Sequence, residues 1–112
     1  MTNYDRGAAF ERQVMKDLQG RGYVAERIAG SHSPADVHAN KPGTVMFIQC
    51  KRKGVLPPSE WNAFLDYCEK AGATPIMAMK PKRGIAYYLL TGRKVKRGKQ
   101  PMEEVRDFER FG

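Results

Sequence analysis

The stretch that most restricts the possible folds is Thr44–Arg52, where Val45, Met46, Phe47 and Ile48 follow one another without a polar interruption. A strand that is apolar on both of its alternating sides offers no face to water. It reads as the centre of a sheet covered above and below. Two segments can supply the cover. Asp5–Gln19 places Phe10, Val14, Met15 and Leu18 at helical spacing, with Gly20 and Gly22 to end the helix. A second helix, with Ser59 as its expected N-cap after Pro57-Pro58, runs to Ala71; its Trp61, Phe64, Leu65 and Cys68 fall at i, i+3, i+4 and i+7, and Gly72 closes it. Shorter β-patterned runs lie at Tyr23–Ile28, Asp36–Ala39, Pro75–Met79 and Ile85–Leu90, separated by turn-formers such as Gly30-Ser31-His32-Ser33-Pro34 and Asn40-Lys41-Pro42-Gly43. The order α-β-β-β-α-β-β predicts an α/β architecture, one mixed β-sheet flanked by helices.

The length of 112 residues fits one domain, 1–112. Its tail, 93–112, reads as a basic cluster (Arg93, Lys94, Lys96, Arg97, Lys99) followed by a short C-terminal helix in which Met102, Val105 and Phe108 recur every three residues. Cys50 and Cys68 lack CxxC spacing and His partners, so they read as reduced, buried thiols rather than zinc ligands or a disulfide. No apolar run reaches the roughly 18 residues that span a bilayer. The N-terminus carries no apolar signal region, and cytoplasmic residence without a membrane partner is the expectation. A net charge of +8 on so small a chain favours a polyanionic partner, chiefly nucleic acid.

Four polar residues stand out as candidates for chemistry. Glu11 lies within about 60° of Val14, Met15 and Leu18 on a helical wheel, so its carboxylate needs a metal, a hydrogen-bonding partner or an ion pair with a neighbouring Arg or Lys. Asp36 stands where a loop becomes a strand, the place of a turn aspartate or of a metal ligand. Gln49 and Lys51 share one face at the end of the central strand, opposite Met46, Ile48 and Cys50; the plain alternative is a strand emerging into solvent. Taken together, the Asp36 and Glu11 carboxylates, the Gln49 side-chain oxygen and the Cys50 backbone carbonyl form an oxygen donor set suited to Mg²⁺ or Mn²⁺. Lys51 can then orient or deprotonate an attacking water, or stabilise charge on a phosphate. His32 and His38 have no partner at metal-ligand spacing and read as loop and strand residues.

The pattern Ser33-Pro34-Ala35-Asp36, twelve residues, then Gln49-Cys50-Lys51 resembles the PD-(D/E)xK nuclease superfamily. With Arg6-Gly7-Ala8-Ala9-Phe10-Glu11-Arg12, Gly30–Val37 and Phe47–Lys51, residues 4 to 90 are similar to the archaeal and phage-type Holliday junction resolvases. The resemblance implies a restriction-endonuclease-like fold. It also implies a homodimer that hydrolyses phosphodiesters in four-way DNA junctions with Mg²⁺ or Mn²⁺, in a prokaryotic or phage-infected cell, without a small-molecule cofactor. By match of motif, Asp36 is the central metal ligand, Lys51 the catalytic lysine, Glu11 the first-helix acid, Ser31 a serine near the scissile phosphate, and Arg6 a phosphate contact. Gln49 departs from the usual Glu, which lowers the formal charge available to the metal.

DNA affinity is expected from Arg6, Arg12, Lys51, Arg52, Lys53, Lys80, Lys82, Arg83 and the tail cluster, through salt-dependent backbone contacts. Two other readings stand beside the main one: a related nuclease acting on flaps, nicks or duplex, and a non-catalytic DNA-binding module. The aromatics Trp61, Phe64, Tyr67, Tyr87 and Tyr88 either serve a subunit interface or fill the core.

Overall fold

The computed structural model describes residues 2–28, 33–96 and 98–111, and only the main chain of Asn3 and Tyr4. The first helix, α1 (Asn3–Gly20), begins two residues earlier than the apolar pattern suggested. The cause is a capping box: the Thr2 hydroxyl accepts from the Asp5 N–H at 3.1 Å, and the Asp5 carboxylate accepts from the Thr2 N–H at 3.2 Å. A sheet of six strands follows in the order β1 (Val24–Arg27), β2 (Val37–Lys41), β3 (Thr44–Lys51), β4 (Thr74–Met79), β5 (Ala86–Leu90) and β6 (Met102–Val105). Only β3 and β4 pair in parallel; the other neighbours are antiparallel. A parallel pair needs a crossover, and α2 (Pro58–Ala71) provides it.

The central position expected of β3 follows from its packing. Met46 and Ile48 point to a core under α1, with Val14, Leu18, Val37 and Ile76, all fully buried. Phe47 points the other way, into a core under α2 with Trp61, Phe64, Met77 and Leu90. Trp61, Phe64 and Tyr87 are therefore core residues and no surplus for a subunit interface, whereas Tyr67 is only half-buried and lies on Phe47, ring centroids 5.2 Å apart.

The start of α2 differs from expectation. Pro57 is the N-cap and no side chain caps the helix, so Ser59 sits inside the first turn, exposed. Pro58 at the first position has no N–H and a preset φ, which leaves one donor fewer to satisfy at this helix start. Gly72, at φ 69°, ends α2 in the left-handed conformation.

The tail differs more. Met102–Val105 is a strand, and only Phe108–Phe111 forms a turn of 3-10 helix. A spacing of three keeps side chains together on a helix but sends them to opposite faces of a strand. Met102 accordingly packs on the α2 side and Val105 on the α1 side. The basic cluster is not one solvated patch either. Lys94 is 1% exposed, its ammonium donates to the Leu56 carbonyl at 2.7 Å, and it lies over the Trp61 ring. Arg93 pairs with Asp66 at 2.6 Å. Both cysteines are free thiols, and burial pushes that of Cys68 up to about 12. Among the described residues, no helix is long and apolar enough to cross a membrane.

Candidate active site

The C-terminal half of β3 and the start of β2 meet just beyond the last regular pair, Val37 with Ile48. Asp36 stands there, one residue before β2. Its N–H donates to the Ile48 carbonyl at 2.8 Å, and its carbonyl accepts from the Ile28 N–H at 2.9 Å, which locks the main chain between β1 and β3. Its carboxylate takes the place a strand carbonyl would have, with Oδ2 accepting from the Cys50 N–H at 2.8 Å. Asp36 is thus more than a turn aspartate, because its side chain closes the ladder at the point where β2 begins.

Burial first, and then the negative charge of Glu11, bring the Asp36 carboxyl up to about 6, against the lowering effects of the Cys50 N–H and of Arg27. The Cys50 thiol, on the α1 side of β3, is driven well above its ordinary value by burial and then by the charges of Asp36 and Glu11. Glu11, Arg27, Asp36 and Cys50 therefore form one electrostatic group. Glu11 reaches it from the apolar side of α1, as its position on the helical wheel predicted.

Glu11 is not unpartnered, however. Its Oε1 accepts from Arg27 Nη2 at 3.1 Å and from Nε at 3.3 Å, with side-chain exposures of 30% for Arg27 and 22% for Glu11. This is the ion pair that had been the alternative to a metal. Arg27 is the residue that sequence reasoning missed. It ends a short edge strand, Val-Ala-Glu-Arg, where an arginine looks solvated, and nothing local marks it as the partner of a helix sixteen positions earlier. Arg27→Gln is expected to cost about 1–3 kcal/mol, because it leaves a half-buried carboxylate unpaired beside another. Denaturant melts of Arg27→Gln, Glu11→Gln and the double variant will test this, the double variant recovering much of the loss.

Gln49 and Lys51 flank Cys50 on β3 and alternate with it, so they start from the face shared with Phe47, the side of the sheet away from α1 and the Cys50 thiol. Neither side chain makes a hydrogen bond or ion pair among the described residues. Gly54, at φ +89°, turns the chain back behind Lys51, and a Cβ there would stand 3.8 Å from Lys51 Cε. Ser31 and His32 lie outside the described residues. His38 stacks on Phe47 at 4.0 Å between centroids and belongs to the aromatic group under α2. Among the described residues, no three His, Cys, Asp or Glu side chains come together as a metal cage.

Of the cations expected to meet DNA, Arg6, Arg52 and Lys80 line one cleft of about 170 Å³ beside this end of the sheet. Lys53, Lys82 and Arg83 are exposed on the turns after β3 and β4, and Arg12 is exposed on α1.

The archaeal Holliday junction resolvase (Hjc) family model matches residues 2–105, which takes in every element from α1 to β6. The chain belongs to this family. Over 81 residues it is 28% identical to the crossover junction endodeoxyribonuclease Hjc of Methanocaldococcus jannaschii, an alignment covering 69% of this chain and 60% of that protein. The chain thus spans about 60% of the length of the curated relative it matches. Its fold is similar to that of Archaeoglobus fulgidus Hjc, described as a Holliday junction resolvase, with a TM-score of 0.71, 25% identity, and coverage of 81% of this chain and 84% of that one. The mixed sheet flanked by helices is therefore the Hjc fold, and the resemblance read from the Arg6-to-Glu11, Gly30-to-Val37 and Phe47-to-Lys51 stretches identified the family correctly.

Proposed function

We propose that this member of the Hjc family is a metal-dependent, structure-selective endodeoxyribonuclease that cuts four-way DNA junctions. We further propose that it acts as a homodimer in the cytoplasm of its host cell. Family membership and the names of the two relatives support the substrate. The observation that carries the chemistry is Asp36: a buried carboxyl held at about 6, with one oxygen on the Cys50 N–H and a second carboxylate close enough to perturb it. An arrangement so unfavourable to itself is expected where a divalent cation completes it.

The donor set fits a hard cation. Mg²⁺ and Mn²⁺ are bound through one or two carboxylates, with carbonyl oxygens and water, and need no all-protein cage. Asp36, the Gln49 amide oxygen and the Cys50 backbone carbonyl would hold the ion. Glu11 would join them by exchanging its bond to Arg27. The chemistry such an ion supplies is Lewis acidity toward a phosphate oxygen and toward the attacking water.

The chain's own residues do the rest. The Cys50 N–H fixes the direction of the Asp36 carboxylate. Lys51, with no partner among the described residues, is available to neutralise charge on the scissile phosphate or to orient water, a contribution of about 10²–10⁴ in rate. Ser31, five positions before Asp36 in the sequence, would contribute at the same phosphate, as the resemblance implies. Arg12, Lys53, Lys82 and Arg83 would hold DNA backbone around the site, and sequence-independent contacts of this kind leave selectivity to junction shape.

The deciding experiment compares cleavage of a four-way junction with that of linear duplex in Mg²⁺, in Mn²⁺ and in chelator, for the natural chain and for Asp36→Asn. Junction cleavage that needs the divalent ion and Asp36 supports the reading; full activity of Asp36→Asn overturns it. One observation favours a second reading, a nuclease for flaps, nicks or duplex: Gln49 stands where the usual resolvase has Glu. The same assay with those substrates separates the two. Gln49→Glu is expected to keep or raise cleavage, since it adds a formal charge to the donor set, and Mn²⁺ titrations should show tighter binding by about tenfold.

A further inference from the structure

The cleft lined by Arg6, Arg52 and Lys80 has an asymmetry that the active-site geometry does not use. The three cations come from three separate places: the first turn of α1, the residue after β3 and the residue after β4. No carboxylate lines the cleft, and none of the three forms an ion pair among the described residues. Elsewhere, Arg21, Arg27, Arg93, Arg106 and Arg110 each hold an Asp or Glu. Like charges brought together without a counter-charge are costly unless an anion joins them. The walls add what a phosphodiester needs besides charge. Lys80 Nζ donates to Gln13 Oε1 at 3.4 Å, and the Gln13 amide NH₂ adds a hydrogen-bond donor to the lining. Phe10, its ring 6.0 Å from Lys80 Nζ, forms an apolar floor against which a sugar can rest.

Its place is equally definite. Arg52 follows Lys51 directly, and Lys80 follows Met79, the residue paired with Lys51 across β3 and β4. Arg6 precedes Glu11 by five positions on α1, about 7.5 Å along the helix axis. That offset places the cleft within a few nucleotides of the site along a bound strand. The geometry points to a dedicated seat for a second, uncleaved backbone phosphate, lying one to three nucleotides from the cut, which sets the register of the scissile bond over Asp36 and Lys51. This rests on the nuclease reading for the word "scissile" but on the cleft alone for the phosphate.

The test is an interference scan. Four-way junctions are prepared with a single phosphate at a time replaced by uncharged methylphosphonate, and binding is measured in chelator, where no cleavage occurs. The natural chain should show one position at which neutralisation weakens binding about tenfold, the effect of losing a charged hydrogen-bonded contact. In Arg6→Gln/Arg52→Gln/Lys80→Gln that position should become indifferent. Lys53→Gln/Lys82→Gln/Arg83→Gln, which removes the same charge from exposed turns, should bind more weakly overall yet keep the peak. An interference profile that is the same in the cleft variant as in the natural chain, or a peak lost equally from both variants, overturns the proposal. Cleavage mapped separately in Mg²⁺ keeps the two readings apart. A peak that depends on the cleft in a chain that never cuts sinks the nuclease and leaves the phosphate seat. Cutting without such a peak sinks the seat alone.

Discussion

Asp36→Asn is expected to lose cleavage on the order of 10³-fold or more while gaining stability at neutral pH. The loss follows from removing the one carboxylate that the main chain itself aims, through Cys50, into the proposed metal site. Junction binding should persist, because the cations that meet DNA are untouched and a negative charge near the phosphates is gone. The gain in stability follows from the same carboxyl. Its folded value, about 6, stands above the ordinary 3.8, so ionised Asp36 disfavours the fold. The penalty is absent below about pH 4, grows as pH rises through 6 and is complete above it. The displacement amounts to roughly 3 kcal/mol at 1.36 kcal/mol per pKa unit, and partial solvent access reduces it to about 1–2 kcal/mol. Asparagine keeps an oxygen for the Cys50 N–H and carries no charge. Thermal melts at pH 7 in chelator should therefore favour the variant, and melts at pH 4 should show little difference. Mn²⁺ affinity of the natural chain should fall by about tenfold from pH 7 to pH 5, as the carboxyl takes up its proton. A variant less stable than the natural chain at both pH values would contradict this account of the site.

The second large effect is structural. Trp61→Ala should cost about 4–5 kcal/mol, enough to unfold much of the chain at 37 °C given usual domain stabilities of 5–15 kcal/mol. Trp61 is fully buried in the core under α2, and its Nε1 donates to the Gly92 carbonyl at 2.9 Å. Removing it empties the space over which Lys94 lies and orphans that carbonyl. Trp61→Phe keeps most of the volume and should lose about 1–2 kcal/mol, mainly the hydrogen bond. Urea melts will rank the two; equal losses would mean that packing over the ring contributes little. Because Gly92 and Lys94 lead into β6, the alanine variant should also become sensitive to trypsin at Arg93 before the rest of the chain.

What could be read from residues alone was whatever a single element reveals. The uninterrupted apolar run of β3 disclosed the sheet's centre, and the helical spacing of Phe10, Val14 and Leu18 disclosed the cover. Glu11 stood out because a charge on an apolar face is anomalous on one helix. Its partner did not, because the pairing of Glu11 with Arg27 exists only once α1 lies against β1. The burial of Lys94 was hidden for the same reason: inside a run of basic residues it looks solvated, and only the packing of α2 shows otherwise. The sixth strand was concealed by an ambiguity of period, since Met102, Val105 and Phe108 suit a helix stripe as well as an edge strand whose two faces are both covered. For the candidate site, Asp36 was legible as to type and place. The hydrogen bond that orients it comes from the main chain of Cys50, which no side-chain pattern encodes.

The far edge of the sheet has its own bearing on how DNA arrives. β6 lies three strands from β3 and carries Glu103 and Glu104, with Asp107 and Glu109 just beyond. Arg110 and Arg106 neutralise the first two. β6 thus balances part of its own charge, whereas Arg6, Arg52 and Lys80 meet in a cleft without a carboxylate in its lining. A polyanion diffusing nearby is drawn in by the net charge of +8, and the cations that have no carboxylate beside them are the ones left to receive it.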